Sequence, residues 1–132
     1  MTRVVVGIIS RENTDGIKEY LLVKSAKDFG EFTGAWYPPG GHIEGDEAEK
    51  EALIREVKEE LDLDVIPVER IAATPGDVPE QTTYWWMCTF AGGEMRLQDE
   101  IAGAGFFTQK GIAALKLWPA TRTFFEKYIF EL

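Results

Sequence analysis

A single cysteine, Cys88, stands in the 132 residues, so the chain forms no internal disulfide. It falls in the apolar run from Tyr84 to Phe90, where a buried, unreactive thiol is expected. Bases are scarce as well: 14 Lys and Arg face 23 Asp and Glu, a net charge of -9. A chain of that sign lacks the basic face that nucleic acid requires, and an anionic membrane surface repels it. Long apolar runs are missing. Near the N-terminus the apolar stretch covers only Val4 to Ile9. That is too short for a secretory core or a membrane span and suits a buried strand. A cytoplasmic location is expected. No repeat, low-complexity tract or linker interrupts the sequence, so residues 1–132 read as one domain, long enough for a real core.

What the chain does have is acid, concentrated in one place. Residues 41–63 hold nine carboxylates against three bases, which supplies -6 of the -9. Within this segment Glu56, Glu59 and Glu60 stand at helical spacings of three and four, which share one helix face. Three acids crowded on one face repel each other unless a cation sits between them. Hard divalent ions such as Mg²⁺ take oxygen ligands and bridge to substrate phosphates. A phosphate ester would be repelled by so acidic a patch and must arrive with metal between.

The remaining pattern predicts an α+β fold, a mixed sheet packed between helices. Arg3 to Ile9 and Glu19 to Lys24 read as the strands of a hairpin. Trp36 and Tyr37 run into Pro38-Pro39-Gly40-Gly41, an extended piece and then a forced bend. A helix is expected from about Glu47, with Asp46 as its cap and Glu49 completing a capping box. Leu53, Ile54, Val57 and Leu61 should face the sheet, with Ala48 and Ala52 on the acidic side. The helix should stop near Asp62, a residue that tolerates left-handed geometry. Val65 to Ala73 and Thr82 to Phe90 read as strands, the first placed at an edge or bulge by Pro67. Gly92-Gly93 reads as a hairpin turn into a strand from Glu94 to Leu97. A short strand is expected at Gly105 to Phe107, a Thr108-capped helix from Gly111 to Leu117, and a terminal helix from Pro119 bearing Phe124, Phe125, Tyr128 and Ile129.

Gly41, Glu47, Arg55, Glu56, Val57, Glu59, Glu60 and Leu63 fall in the register of the Nudix box, which spans residues 41–63 here. The one departure is Asp62, where that pattern has glycine. The chain thus resembles the Nudix hydrolases over nearly its whole length. The resemblance implies a Nudix-type α/β/α sandwich and hydrolysis of a diphosphate linkage in a nucleoside diphosphate joined to some group X. It implies Mg²⁺, or Mn²⁺ in its place, held by the Gly40 carbonyl, Glu56, Glu59 and Glu60. Glu47 would pair with Arg55 and so hold the helix and its carboxylates in place. Glu100 is the candidate for a further acid outside the box, as ligand or general base beside Glu56 and Glu59.

Substrate contacts are expected around the bend and the sheet. His42 follows the glycines, where it either touches phosphate or orders the loop. Trp36 either stacks on a nucleobase or packs in the core. In Tyr84-Trp85-Trp86 the faces alternate, so one face is structural and the other, with Tyr84 as candidate, is available to a base. The stretch from Trp36 to His42 looks similar to dinucleoside tetraphosphate hydrolases, although those usually have Lys at the place of Gly40. Pro79 is loosely like the ADP-ribose subgroup. The substrate reads as a small nucleotide, with a nucleoside tri- or polyphosphate first, ADP-ribose or a nucleotide sugar second, and a nucleotide-sensing module without hydrolysis third. Either a monomer or a homodimer fits the sequence.

Overall fold

The structure is a computed structural model that describes residues 1–130. Its centre is β1 (Thr2–Glu12), whose β-branched run Val4-Val5-Val6 and Ile8-Ile9 suits a strand buried on both faces. β1 forms the expected hairpin with β2 (Lys18–Ser25). The Asn13 side chain makes the turn by accepting from the Asp15 and Ile17 amides at 2.9 and 3.0 Å. The two strands stay paired only from Ser10 to Glu12 and then part. Into the space beside the first half of β1 comes β4 (Gly40–His42), antiparallel to Val4–Val6. On its other edge β1 runs parallel to β6 (Gln81–Gly92), and β5 (Asp64–Pro75) pairs with β6 at the sheet margin. β2 in turn carries β3 (Trp36–Tyr37) and β7 (Ile101–Thr108).

Alternation along the strands divides the core into two layers. Val5, Ile9, Leu21, Val23, Trp86 and Cys88 point to one face, under α1 (Glu49–Leu61) and its Ala52, Leu53, Val57 and Leu61. Ile8, Tyr20, Leu22 and Trp85 point to the other. That face is covered by α2 (Gln109–Ala113), α3 (Pro119–Phe124) and the π-helical turn Phe125–Ile129. Trp85 stacks on Phe124 at 4.1 Å between ring centroids, and Phe125 meets Tyr20 edge-on at 5.7 Å. In Tyr84-Trp85-Trp86, Tyr84 and Trp86 pack on the α1 side and Trp85 on the other. Cys88 is buried as expected, and burial pushes its thiol up to about 12. Among the described residues no helix is long and apolar enough to cross a membrane.

Three expectations are corrected. α1 begins at Glu49, with Ala48 at the cap, so Asp46 does not cap it. Glu51 rather than Glu49 reaches back, accepting from the Ala48 amide at 3.2 Å. Glu49 instead spans helix to sheet, accepting from Trp86 Nε1 at 2.8 Å and from the Arg70 guanidinium. Second, Ile54 is 44% exposed while Ala52 is fully buried, so the helix face against the sheet is turned from the expected one. Third, Glu94 to Leu97 is no strand. β6 already has a partner on each edge, so a hairpin after Gly92-Gly93 has no free edge to pair with. The chain turns back to the end of α1, where the Arg96 amide donates to the Leu61 carbonyl and the Gln98 amide to that of Glu60. The exit of α1 is as expected: Asp62 caps it with φ of 57°. Pro67 sits on the marginal strand at a register shift, both edge and bulge.

Candidate active site

β4 and α1 meet where β1 and β2 part. The closeness of this approach depends on Gly41: a Cβ there would stand 2.4 Å from the Glu56 carboxyl carbon. Gly40 faces the same demand from β1, with the Val5 carbonyl oxygen 2.1 Å from where its Cβ would be. Any side chain at either place would push β4 off the sheet or the carboxylate out of its seat.

Arg55 organises the acids. Its Nε donates to Glu47 Oε2 at 2.7 Å and its Nη2 to Glu47 Oε1 at 2.9 Å, a two-pronged pair that fixes the guanidinium plane. The same Nη2 donates to the His42 carbonyl at 3.1 Å, joining helix to β4. Nη1 donates to Glu56 Oε1 at 3.1 Å and Glu59 Oε2 at 3.2 Å. The hydrogen bonds from Arg55 and from the Glu44 amide hold the Glu47 carboxyl down to about 2, and those carboxylates raise the Arg55 guanidinium in turn.

Glu60 is different. Its Oε1 is buried with no hydrogen-bond partner among the described residues. Burial, reinforced by the neighbouring Glu56 charge, pushes its carboxyl up to about 8. Burial also raises Glu56, and Arg55 offsets this only in part. Both acids line a cleft of about 260 Å³ with Gly40, Tyr37, Lys27, Gln98 and Glu100. Glu100 enters from the turn before β7, and its carbonyl accepts from the Ala26 amide at 2.9 Å. The oxygens available to a cation are those of Glu56, Glu59, Glu60, Glu100 and the Gly40 carbonyl, all hard donors. Among the described residues no three acidic, histidine or cysteine side chains converge closely enough to enclose an ion, and two of the acids, Glu56 and Glu59, are held by Arg55. The oxygen-only donor set and the unpartnered Glu60 atom nevertheless fit a hard divalent ion.

A larger cavity, about 370 Å³, adjoins the cleft and shares Phe29, Tyr37 and Gly40 with it. Its walls include Trp85, Trp118, His42, Thr83, Gln81 and Asp77. Gly41 and His42 thus stand between the acids and this cavity, whereas Trp36 and Tyr84 line neither space. Trp36 packs edge-on against Phe107 at 5.0 Å, and Tyr84 lies under the Arg70 guanidinium at 4.7 Å. Sequence reasoning passed over Tyr37 and Trp118. Alternation along β3 sends Trp36 and Tyr37 to opposite faces, and Tyr37 directly precedes the proline–glycine bend. Trp118 is set beside β3 by backbone bonds from the Trp118 amide to the Trp36 carbonyl, 3.1 Å, and from the Trp36 amide to the Lys116 carbonyl, 2.9 Å. That pairing over 80 residues leaves no local mark in the sequence.

Comparison with known proteins bears on the family and the fold. A nucleoside triphosphatase NudI from Enterobacter sp. (strain 638) is 32% identical over 122 residues, covering 82% of this chain and 86% of that protein. Putative nudix hydrolase 1 of Caenorhabditis elegans is 31% identical over 127 residues, 92% of this chain, which spans only 33% of that longer relative. Among solved structures, an ADP-ribose pyrophosphatase from Streptococcus suis superposes with a TM-score of 0.70 at 26% identity, over 91% of this chain and 81% of the other. A family model, the NUDIX domain, matches residues 1–128. With a match of that extent laid over an acid-bearing helix, a glycine strand and a mixed sheet between helices, the chain belongs to the Nudix family of pyrophosphohydrolases.

Proposed function

We propose that the chain hydrolyses the diphosphate linkage of a nucleoside polyphosphate, either a nucleoside triphosphate or a dinucleoside polyphosphate, with Mg²⁺ as cofactor and Mn²⁺ as its nearest substitute. The observation that carries this reading is the buried, unpartnered Glu60 oxygen in an acidic cleft. Glu56, Glu59, Glu60 and the Gly40 carbonyl are the proposed ligands. When bound, the ion neutralises phosphate charge and lowers the pKa of attacking water.

The chain's own residues do the rest. Glu56, half-buried beside Glu60, takes the proton of the attacking water, with Glu59 and Glu100 as the other bases at hand. Arg55, locked by Glu47, keeps Glu56 and Glu59 in place. The adjoining cavity, of nucleoside size and walled by Tyr37, Trp85 and Trp118, takes the nucleoside, and His42 lies between base and phosphates. A cytoplasmic site of action accompanies this reading, where magnesium nucleotides are the available substrates.

A second reading keeps the cleft and changes the substrate to ADP-ribose or a nucleotide sugar. The likeness to the Streptococcus suis enzyme favours it. One assay covers both: wild type, Glu59→Gln and Glu60→Gln against a nucleotide panel with Mg²⁺, with products identified. Release of pyrophosphate, or of two nucleotides with no sugar phosphate, fits the first reading, and release of a sugar phosphate beside a nucleoside monophosphate fits the second. Wild-type turnover in both variants refutes the site.

A further inference from the structure

Of the residues that line the acidic cleft, one is cationic: Lys27. It lies on the loop between β2 and β3 and shares the cleft with Glu56 and Glu60 of α1. This loop is folded, not slack. Asp28 Oδ1 accepts from the Gly30 amide at 2.9 Å and the Thr33 hydroxyl at 3.0 Å, and Thr33 Oγ1 accepts from the Phe29 amide at 2.8 Å. Its far side is pinned by Phe29 and Phe32, whose rings lie 5.3 and 5.0 Å from that of Trp118, and by Lys116, which donates to the Thr33 carbonyl at 3.0 Å. At its near end the Lys27 amide donates to Ser25 Oγ at 3.0 Å, and the Ala26 amide bonds the Glu100 carbonyl. The backbone therefore delivers the Lys27 side chain to the cleft in a defined register with Glu100.

The ammonium itself is loosely held. Its partner is Glu100 Oε2 at 3.6 Å, and the two side chains are 64% and 68% exposed. An exposed pair of that length contributes little and exchanges partners readily. Arg55, the other base near the acids, is committed to Glu47, Glu56 and Glu59 and has no donor geometry to spare.

We propose that Lys27 is a substrate-binding residue for phosphate: on entry of a diphosphate its ammonium leaves Glu100 and donates to a non-bridging phosphate oxygen, in the cleft that also holds the carboxylates of Glu56 and Glu60. The exchange gives the diphosphate a cationic contact from the chain itself and frees the Glu100 carboxylate. This rests on the hydrolytic reading of the cleft. It adds the side chain that makes an acidic cleft accept an anion.

The test is calorimetric titration of inorganic pyrophosphate, with Mg²⁺ and separately with EDTA, into wild type, Lys27→Ala, Lys27→Arg and the exposed control Lys110→Ala. Loss of a charge-assisted contact predicts binding about tenfold weaker in Lys27→Ala with Mg²⁺, and EDTA should weaken binding in wild type and variant alike. Lys27→Arg should recover most of it, and Lys110→Ala should match wild type. In turnover with whichever panel nucleotide is cleaved, Lys27→Ala should raise KM and leave kcat nearly unchanged, the mark of a contact made equally in ground and transition states. With Mg²⁺ present, equal pyrophosphate affinity in wild type and Lys27→Ala, or no pyrophosphate binding by wild type, overturns the proposal. A Lys27-dependent affinity in a protein that cleaves no panel member sustains the phosphate contact and removes the hydrolytic reading instead.

Discussion

Gly41 and Glu56 illustrate how far one atom can matter. With a Cβ at Gly41 2.4 Å from the Glu56 carboxyl carbon, Gly41→Ala must displace that carboxylate or β4. The expected outcome is a fall in kcat/KM on the order of 10²-fold, the scale of a misplaced general base, with the far-ultraviolet circular dichroism unchanged. Full activity in that variant would remove Glu56 from the proposed chemistry. Arg55 makes a second residue-scale case. Lys cannot reproduce two parallel bonds to Glu47 together with bonds to Glu56 and Glu59. Arg55→Lys should lose roughly 10–100-fold in activity or metal affinity, as supporting contacts to metal sites do. Its measurement is turnover against Mg²⁺ concentration.

At the scale of elements, α1 was legible because its signals are local. The 3.6-residue period of Leu53, Val57 and Leu61 and the left-handed cap at Asp62 need no distant partner. Its start was read too early because Glu47 belongs to Arg55 and to the Glu44 amide, not to a helical turn. Glu94 to Leu97 misled for the opposite reason. Two glycines look like a hairpin turn, but whether a strand follows depends on a free edge, and β1 had already taken the edge of β6 that lies away from β5. The second cavity was illegible for a related reason: its walls come from β1, β3, β4, β5, β6, the Phe29 loop and α3, brought together only by the fold. The stack of Trp85 on Phe124 closes that side of the sheet, with both rings buried. Phe124→Ala should cost about 3–5 kcal/mol in denaturant unfolding, the range for a buried aromatic cut to alanine. A loss below 1 kcal/mol would mean that α3 contributes little to the core.

For the whole molecule, the acidic cleft sets the pH dependence of stability. Glu60 keeps its proton in the folded chain up to about pH 8, whereas an ordinary glutamate, near 4.5, has lost it. Between those values the folded state binds the extra proton, so stability falls as pH rises through this window. Burial of Glu56 acts in the same direction. Glu47, held down to about 2, acts oppositely: its stabilising pair is intact above pH 4.5 and is lost as pH falls towards 2. Metal-free protein should therefore lose on the order of 5–10 °C in Tm between pH 5 and pH 8, and Glu60→Gln should remove most of that slope. Mg²⁺ should raise Tm more at pH 8 than at pH 5.

Diffraction at the manganese absorption edge, from crystals grown with Mn²⁺ near pH 8, probes the cleft most directly. The expected result is an anomalous peak bonded to Glu60 Oε1 and shared with Glu56. A Glu60 oxygen still buried without a cation, at Mn²⁺ concentrations that support turnover, would contradict the role given to these acids.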